Sequence, residues 1–224
     1  MIQVFTRGSD TPAPSLRVAD VMNSSGRDEL RTLPVESATI GDAISALVTQ
    51  QLHRICVTEG GRVKWLVSQW DVVNYFADRL PKKFADTQLC DLGRKNELGF
   101  LTKFVCAVDQ HESVMHAFQL MDRHGITAVP VVDGGNNRLV GTLSLKDVPR
   151  VLDSLFEPCG KALKAVHGAA CVELDSTFGS LLKGFQVTKL HRFWIIGDVN
   201  RLTGVISLTD AVRCLNTLFS QKGK

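Results

Sequence analysis

Apolar positions along this chain alternate between short β-prone runs and stretches of helical spacing, and the same order is written three times. In the first copy Ile40, Ala43, Ile44, Leu47 and Val48 recur at intervals of three and four, which predicts a helix over 39–51 with Ser37 as its cap. RICV at 54–57, a Gly pair at 60–61 and VKWLV at 63–67 then read as a hairpin, and a helix opens at Asp71. In the second copy Ser113 starts a helix carrying Val114, Ala117, Phe118 and Met121. TAVPVV, the turn DGGNN at 133–137 and RLVGTL follow, and then a helix from Asp147 with Pro149 in its first turn, where a missing N–H is harmless. The third copy places Phe178, Leu181, Leu182 and Phe185 on a helix, then FWII, the turn GDVN, LTGVIS and a last helix. Helix–strand–strand–helix, repeated, is the mark of a repeat architecture.

Unit 1 is expected over 16–80, unit 2 over 104–155 and unit 3 over 165–219, with linkers at 81–103 and 156–164. Residues 1–15 read as a flexible leader, and LRVADVM at 16–22 as a short strand or helical turn entering the first unit. The fold class is α/β (α+β). A unit of about fifty residues has too little interior to stand alone, so units should pack as tandem pairs. Three is odd. Either one unit pairs across a homodimer, or a partner was lost, or a fourth lies outside this chain.

A net charge of +3 spread over scattered Lys and Arg argues against a nucleic-acid partner. No apolar run reaches the ~20 residues of a membrane helix, and the first residues lack the apolar centre of a secretory signal. These points predict a soluble protein of the cytoplasm or nucleus. The six cysteines show no metal spacing and read as reduced thiols, with Cys56, Cys106 and Cys171 beside apolar runs. Trp65, Trp194 and the eleven Phe are expected in the core, while Trp70 either fills a cleft or stacks on a base.

Chemistry is concentrated in one motif. SQWD at 68–71, SLKD at 144–147 and SLTD at 207–210 each join a strand to a helix, with a His upstream in LHR at 52–54, RHG at 123–125 and LHR at 190–192. Asp71, Asp147 and Asp210 suit the two hydroxyls of a ribose. Ser68, Ser144 and Ser207, at helix starts, suit a phosphate oxygen. His53, Arg54, His124, His191 and Arg192 would neutralise phosphate, Arg best of all. In unit 2 the Arg slot is read as Gly125, with Arg123 or Lys146 as substitutes. The plainer reading is a helix cap, since Ser-x-x-Asp before an apolar helix is also a capping box. The two roles can coexist.

LPVESATIGDAISALVTQQLHRI, ITAVPVVDGGNNRLVGTLSLKDV and LHRFWIIGDVNRLTGVISLTDAV together resemble CBS domains. The likeness is closest to the gamma subunit of AMP-activated/SNF1-type kinases, with these units matching its second to fourth repeats. DLGRKNELGF at 91–100 is similar to the segment joining that subunit's two pairs. The resemblance implies an adenine nucleotide ligand (AMP, ADP or ATP), kinase alpha and beta subunits as partners, and a sensing role. A scaffold with degenerate sites is the alternative. No metal site or catalytic signature is present, so an enzyme is not expected.

Overall fold

In a computed structural model of the protein, residues 31–95, 105–165 and 168–220 are described. The leader 1–15, LRVADVM and the end of DLGRKNELGF lie outside them. Unit 1 contains β1 (Thr32–Pro34), α1 (Ile40–Thr49), β2 (Arg54–Glu59), β3 (Arg62–Ser68) and α2 (Gln69–Ala77). Two short helices follow, α3 (Lys82–Ala85) and α4 (Leu89–Lys95). Unit 2 has β4 (Val108–Asp109), α5 (Val114–His124), β5 (Ala128–Asp133), β6 (Arg138–Ser144) and α6 (Val148–Val151), after which comes α7 (Cys159–Ala162). Unit 3 has β7 (Cys171–Glu173), α8 (Phe178–Thr188), β8 (Arg192–Ile196), β9 (Leu202–Ser207) and α9 (Leu208–Ser220).

Each unit therefore rests on its own three-stranded sheet. The hairpin strands pair antiparallel, and a strand of two or three residues adds parallel to the first of them. These parallel strands are too short to show a period, so the pattern of the sequence did not announce them. The Gly60–Gly61 turn has φ of 54° and 75°, the left-handed pair that a tight hairpin needs. The cap of α1 is Thr39, not Ser37. Its Oγ1 accepts from the Asp42 amide at 3.2 Å, while Asp42 Oδ2 accepts from the Thr39 amide at 2.8 Å. Ser37 lies in the turn before it.

The helix expected from Asp147 is also short. It ends at Val151 and passes into a 3₁₀ turn, and the carbonyls of Leu155 and Glu157 accept from the Met115 and Val114 amides. That stretch closes the open amino end of α5 instead of continuing a helix.

Unit 3 joins the other two through different faces. Its helices pack on those of unit 1 around one core that includes Ile44, Leu47, Val73 and Phe76 with Leu182, Phe185, Val212 and Leu215. Each such side chain, fully buried, contributes about 1.5–3 kcal/mol. The segment read as a linker strengthens this seam: Leu89 and Cys90 amides donate to Ser176 and Leu174 carbonyls, both at 2.9 Å.

The sheet side of unit 3 meets unit 2. Val132, Trp194 and Leu202 form a small buried cluster there. Trp194 Nε1 donates to Thr142 Oγ1 at 2.6 Å, and the Leu202 amide donates to the Asn137 carbonyl at 2.9 Å. Unit 2 keeps a separate core of its own around Val114, Met121, Val129 and Leu143.

Two expectations about burial fail. Trp65 is 50% and Phe156 86% exposed, although Trp194 is buried. Among the cysteines the buried pair is Cys159 and Cys214, while Cys171 is exposed and Cys56 and Cys106 are intermediate. Apolar neighbours in sequence do not fix which face of a strand a Cys takes. Burial, chiefly, pushes the Cys159 thiol up to about 11.

Candidate ligand cleft

All three Ser-x-x-Asp motifs close as reciprocal helix caps. The serine hydroxyl donates to its own aspartate Oδ2 at 2.6 Å in each unit, and the serine amide donates to the same oxygen at 2.8–2.9 Å. Thr39 and Asp42 make the same box on α1. The hydroxyls of Ser68, Ser144 and Ser207 are thus engaged by their own carboxylates. The second carboxylate oxygen, Oδ1, is not part of the cap.

The three carboxylates stand in different settings. Asp147 is nearly buried, with Arg150 donating to Oδ1 at 3.3 Å. Asp210 is buried, with Arg213 3.6 Å from its Oδ1. Asp71 is exposed, and residue 74, where the others have Arg, is Asn. The Asp-x-x-Arg spacing in DVPR and DAVR is the sequence signal for these two ion pairs.

A cleft of about 670 Å³ opens on the seam between units 2 and 3. Unit 2 lines it with Thr127, Thr142, Ser144, Lys146, Asp147 and Arg150, and unit 3 with Gly168, Ala170, Leu190, His191, Arg192 and Trp194. One carboxylate, four basic side chains and an indole wall therefore share one opening. Arg192 is also a latch, since its guanidinium donates to Thr127 Oγ1 at 2.5 Å and to the Ala128 carbonyl at 3.3 Å. Burial lowers its pKa from the usual Arg value.

Burial also holds the His191 imidazole below its ordinary range, helped by the positive charge of Lys146, Arg192, His53 and Arg54. His53 and Arg54 are exposed and do not line this cleft, but their charge reaches His191 from unit 1. Cations of all three units thus act on one imidazole.

His124 does not occupy the position assigned to it. Strand pairing sets Arg54, Ala128 and Arg192 opposite Ser68, Ser144 and Ser207, so the equivalents of His53 and His191 is Thr127, not His124. His124 is the last residue of α5, and Gly125 is its left-handed cap with φ 61°. It lines a smaller space of about 250 Å³ with Cys106, Ile126, Ala128, Arg192 and Trp194. Ser207 and Asp210 do not line that space. Lys146 and Arg150 are the cations that unit 2 brings to the larger cleft. Trp70 is partly buried against the core shared by units 1 and 3, which is the filling role. Among the described residues no group of His, Cys, Asp and Glu could hold a metal ion, and no helix is long and apolar enough to cross a membrane.

Residues 98–154, which hold most of unit 2, match the CBS domain family. That match spans about a quarter of the chain, and the rest resembles kinase gamma subunits and their relatives. An Arabidopsis thaliana protein named SNF1-related protein kinase regulatory subunit gamma-1-like is 29% identical over 128 residues, 49% of this chain and 29% of that one. Protein sds23/moc1 of Schizosaccharomyces pombe is 23% identical over 229 residues, covering 84% of this chain and 55% of its own length. The chain thus spans less than two thirds of either relative. A solved structure of a conserved Pyrococcus horikoshii protein superposes with a TM-score of 0.68 at 16% identity, over 84% of this chain and 80% of that one, and shares the fold.

Proposed function

We propose that this chain is a regulatory protein that binds an adenine nucleotide in the cleft between units 2 and 3, as a gamma-like subunit of an SNF1/AMP-activated kinase assembly. The observation that supports it is the convergence of Asp147 with Lys146, His191 and Arg192 in one opening. Asp147 Oδ1 takes the ribose hydroxyls. The cations take the phosphate, with Arg192 already held in place by unit 2. Trp194 and the small residues Gly168 and Ala170 leave a wall for a planar base. The chain's own role is to bind and to transmit among alpha and beta partners, with the kinase chemistry left to a partner. A ligand that bridges two units favours the closed seam by its difference in affinity for the two states.

Calorimetric titration with AMP, ADP, ATP and S-adenosylmethionine tests this reading. At least one adenine ligand is expected to bind, and Asp147→Asn should weaken it by more than ~1 kcal/mol, the scale of a lost hydrogen bond to a charged group. Asn keeps an acceptor for the cap but also loses the Arg150 ion pair, so Arg150→Gln is run beside it to separate that loss from the ligand contact. Absence of binding by all four would favour the scaffold reading, which the exposed apolar face of β3 also suits.

A further inference from the structure

Two of the capped aspartates carry an arginine that the cap does not need. Arg150 donates to Asp147 Oδ1 at 3.3 Å and Arg213 stands 3.6 Å from Asp210 Oδ1, each three residues on from its carboxylate. Ser68 and Asp71 close the same box with Asn74 in that place, and Thr39 and Asp42 close theirs with Ser45 there. The arginine is therefore not part of the cap, and it stands in the two units that share the seam. Its hold on Asp147 is one long hydrogen bond from a side chain that is half exposed, and a pair so open to water is weak. The other guanidinium of the cleft is committed, since Arg192 is held by Thr127 and the Ala128 carbonyl. Arg150 is thus the cleft arginine with freedom to change partner.

We infer that Arg150 gates this cleft and sets its ligand class, which is a ribonucleotide carrying phosphate and not a nucleoside or another adenosyl compound. The inference rests on the function proposed above. Only 12% of the Asp147 side chain is accessible, so a ribose that takes Oδ1 comes in along the approach that Arg150 covers and displaces it. The displaced guanidinium stays in the opening with Lys146, facing His191 and Arg192 on the other wall. A ligand with phosphate gives it a better partner than the one it lost, because its planar fork binds phosphate through two bonds. A ligand with the diol alone breaks the ion pair and gives nothing in exchange. S-adenosylmethionine has the same diol with a sulfonium in place of phosphate, and it brings positive charge among positive charges. One arginine thereby makes the sugar contact depend on the phosphate.

A cycle of two ligands and two proteins tests the gate by calorimetry on the full chain. The ligands are adenosine and whichever of AMP, ADP and ATP binds most tightly, each titrated into wild type and Arg150→Gln. The change lies at a half-exposed side chain outside the cap, so the circular dichroism spectrum should not alter. The nucleotide should bind Arg150→Gln about tenfold more weakly, the scale of a lost hydrogen bond to a charged group. Adenosine should bind it about two- to fivefold more tightly, the scale of a released exposed ion pair. A structural role for Arg150 would move both ligands the same way, whereas opposite signs measure its coupling to the phosphate. S-adenosylmethionine should bind wild type more weakly than the nucleotide does. Equal changes for both ligands overturn the gate, and so does S-adenosylmethionine binding more tightly than every phosphate ligand. In either case a nucleotide that binds wild type and is lost in Asp147→Asn leaves the cleft reading standing. If none of these ligands binds wild type, the cleft reading and the gate fall together.

Discussion

His191 carries the clearest chemical signal at the scale of single residues. Burial and then four positive neighbours depress its pKa from 6.5, so the empty cleft favours neutral imidazole. A bound phosphate reverses that field and favours the imidazolium. Binding should therefore take up a proton, and affinity should rise as pH falls. Between about pH 8 and 6.5, above the phosphate's own second ionisation near 6, the gain is at most about tenfold per pH unit for one linked proton. Calorimetry in buffers of different ionisation enthalpy measures the uptake directly, and His191→Gln should abolish it. In the absence of ligand the sign is opposite for folding. The unfolded chain holds more proton at His191 than the native one, so this residue's contribution to stability declines as pH drops below 6.5.

Elements show which readings of the sequence carry structural weight. Gly179, near the start of α8, lies against α3: a Cβ there would sit 3.0 Å from the Ala85 Cβ and 3.1 Å from its carbonyl oxygen. A backbone oxygen cannot rotate aside. Gly179→Ala should thus cost roughly 1–3 kcal/mol of overpacking, more than the ~1 kcal/mol that Ala gains over Gly in a helix. Urea unfolding with an unchanged m-value would register the difference. The sequence marked the helices and hairpins well, because apolar spacing reports which face is buried and the Gly pairs report the turns. It misplaced His124 for a physical reason. His124 stands three residues before Thr127, in the last turn of α5, so matching His to His slips the register that strand pairing enforces. It could not show that Asp71, Asp147 and Asp210 differ. Their motifs are alike, and only the neighbouring unit decides whether a carboxylate faces a cleft, an Arg or solvent.

At the scale of the whole molecule, unit 3 is the hinge of the arrangement, sharing a continuous core with unit 1 and only a seam with unit 2. Cooperativity should follow that division. A cavity in the shared core, as in Leu215→Ala, removes contacts from two units at once and should cost about 2–5 kcal/mol across both. Leu143→Ala opens a cavity of the same kind inside unit 2, but that core touches the others through Trp194, Arg192 and a few backbone bonds. Native-state hydrogen exchange of Leu143→Ala should accelerate in β4, α5, β5 and β6 while α1, α2, α8 and α9 keep their protection. Adding the nucleotide should restore protection to unit 2 first, because the ligand binds both sides of the seam and only the closed state offers both. Uniform acceleration across all three units would mean that the seam transmits as strongly as the shared core. A ligand at Asp147 would then act on the molecule as one body and not by clamping its most loosely held unit.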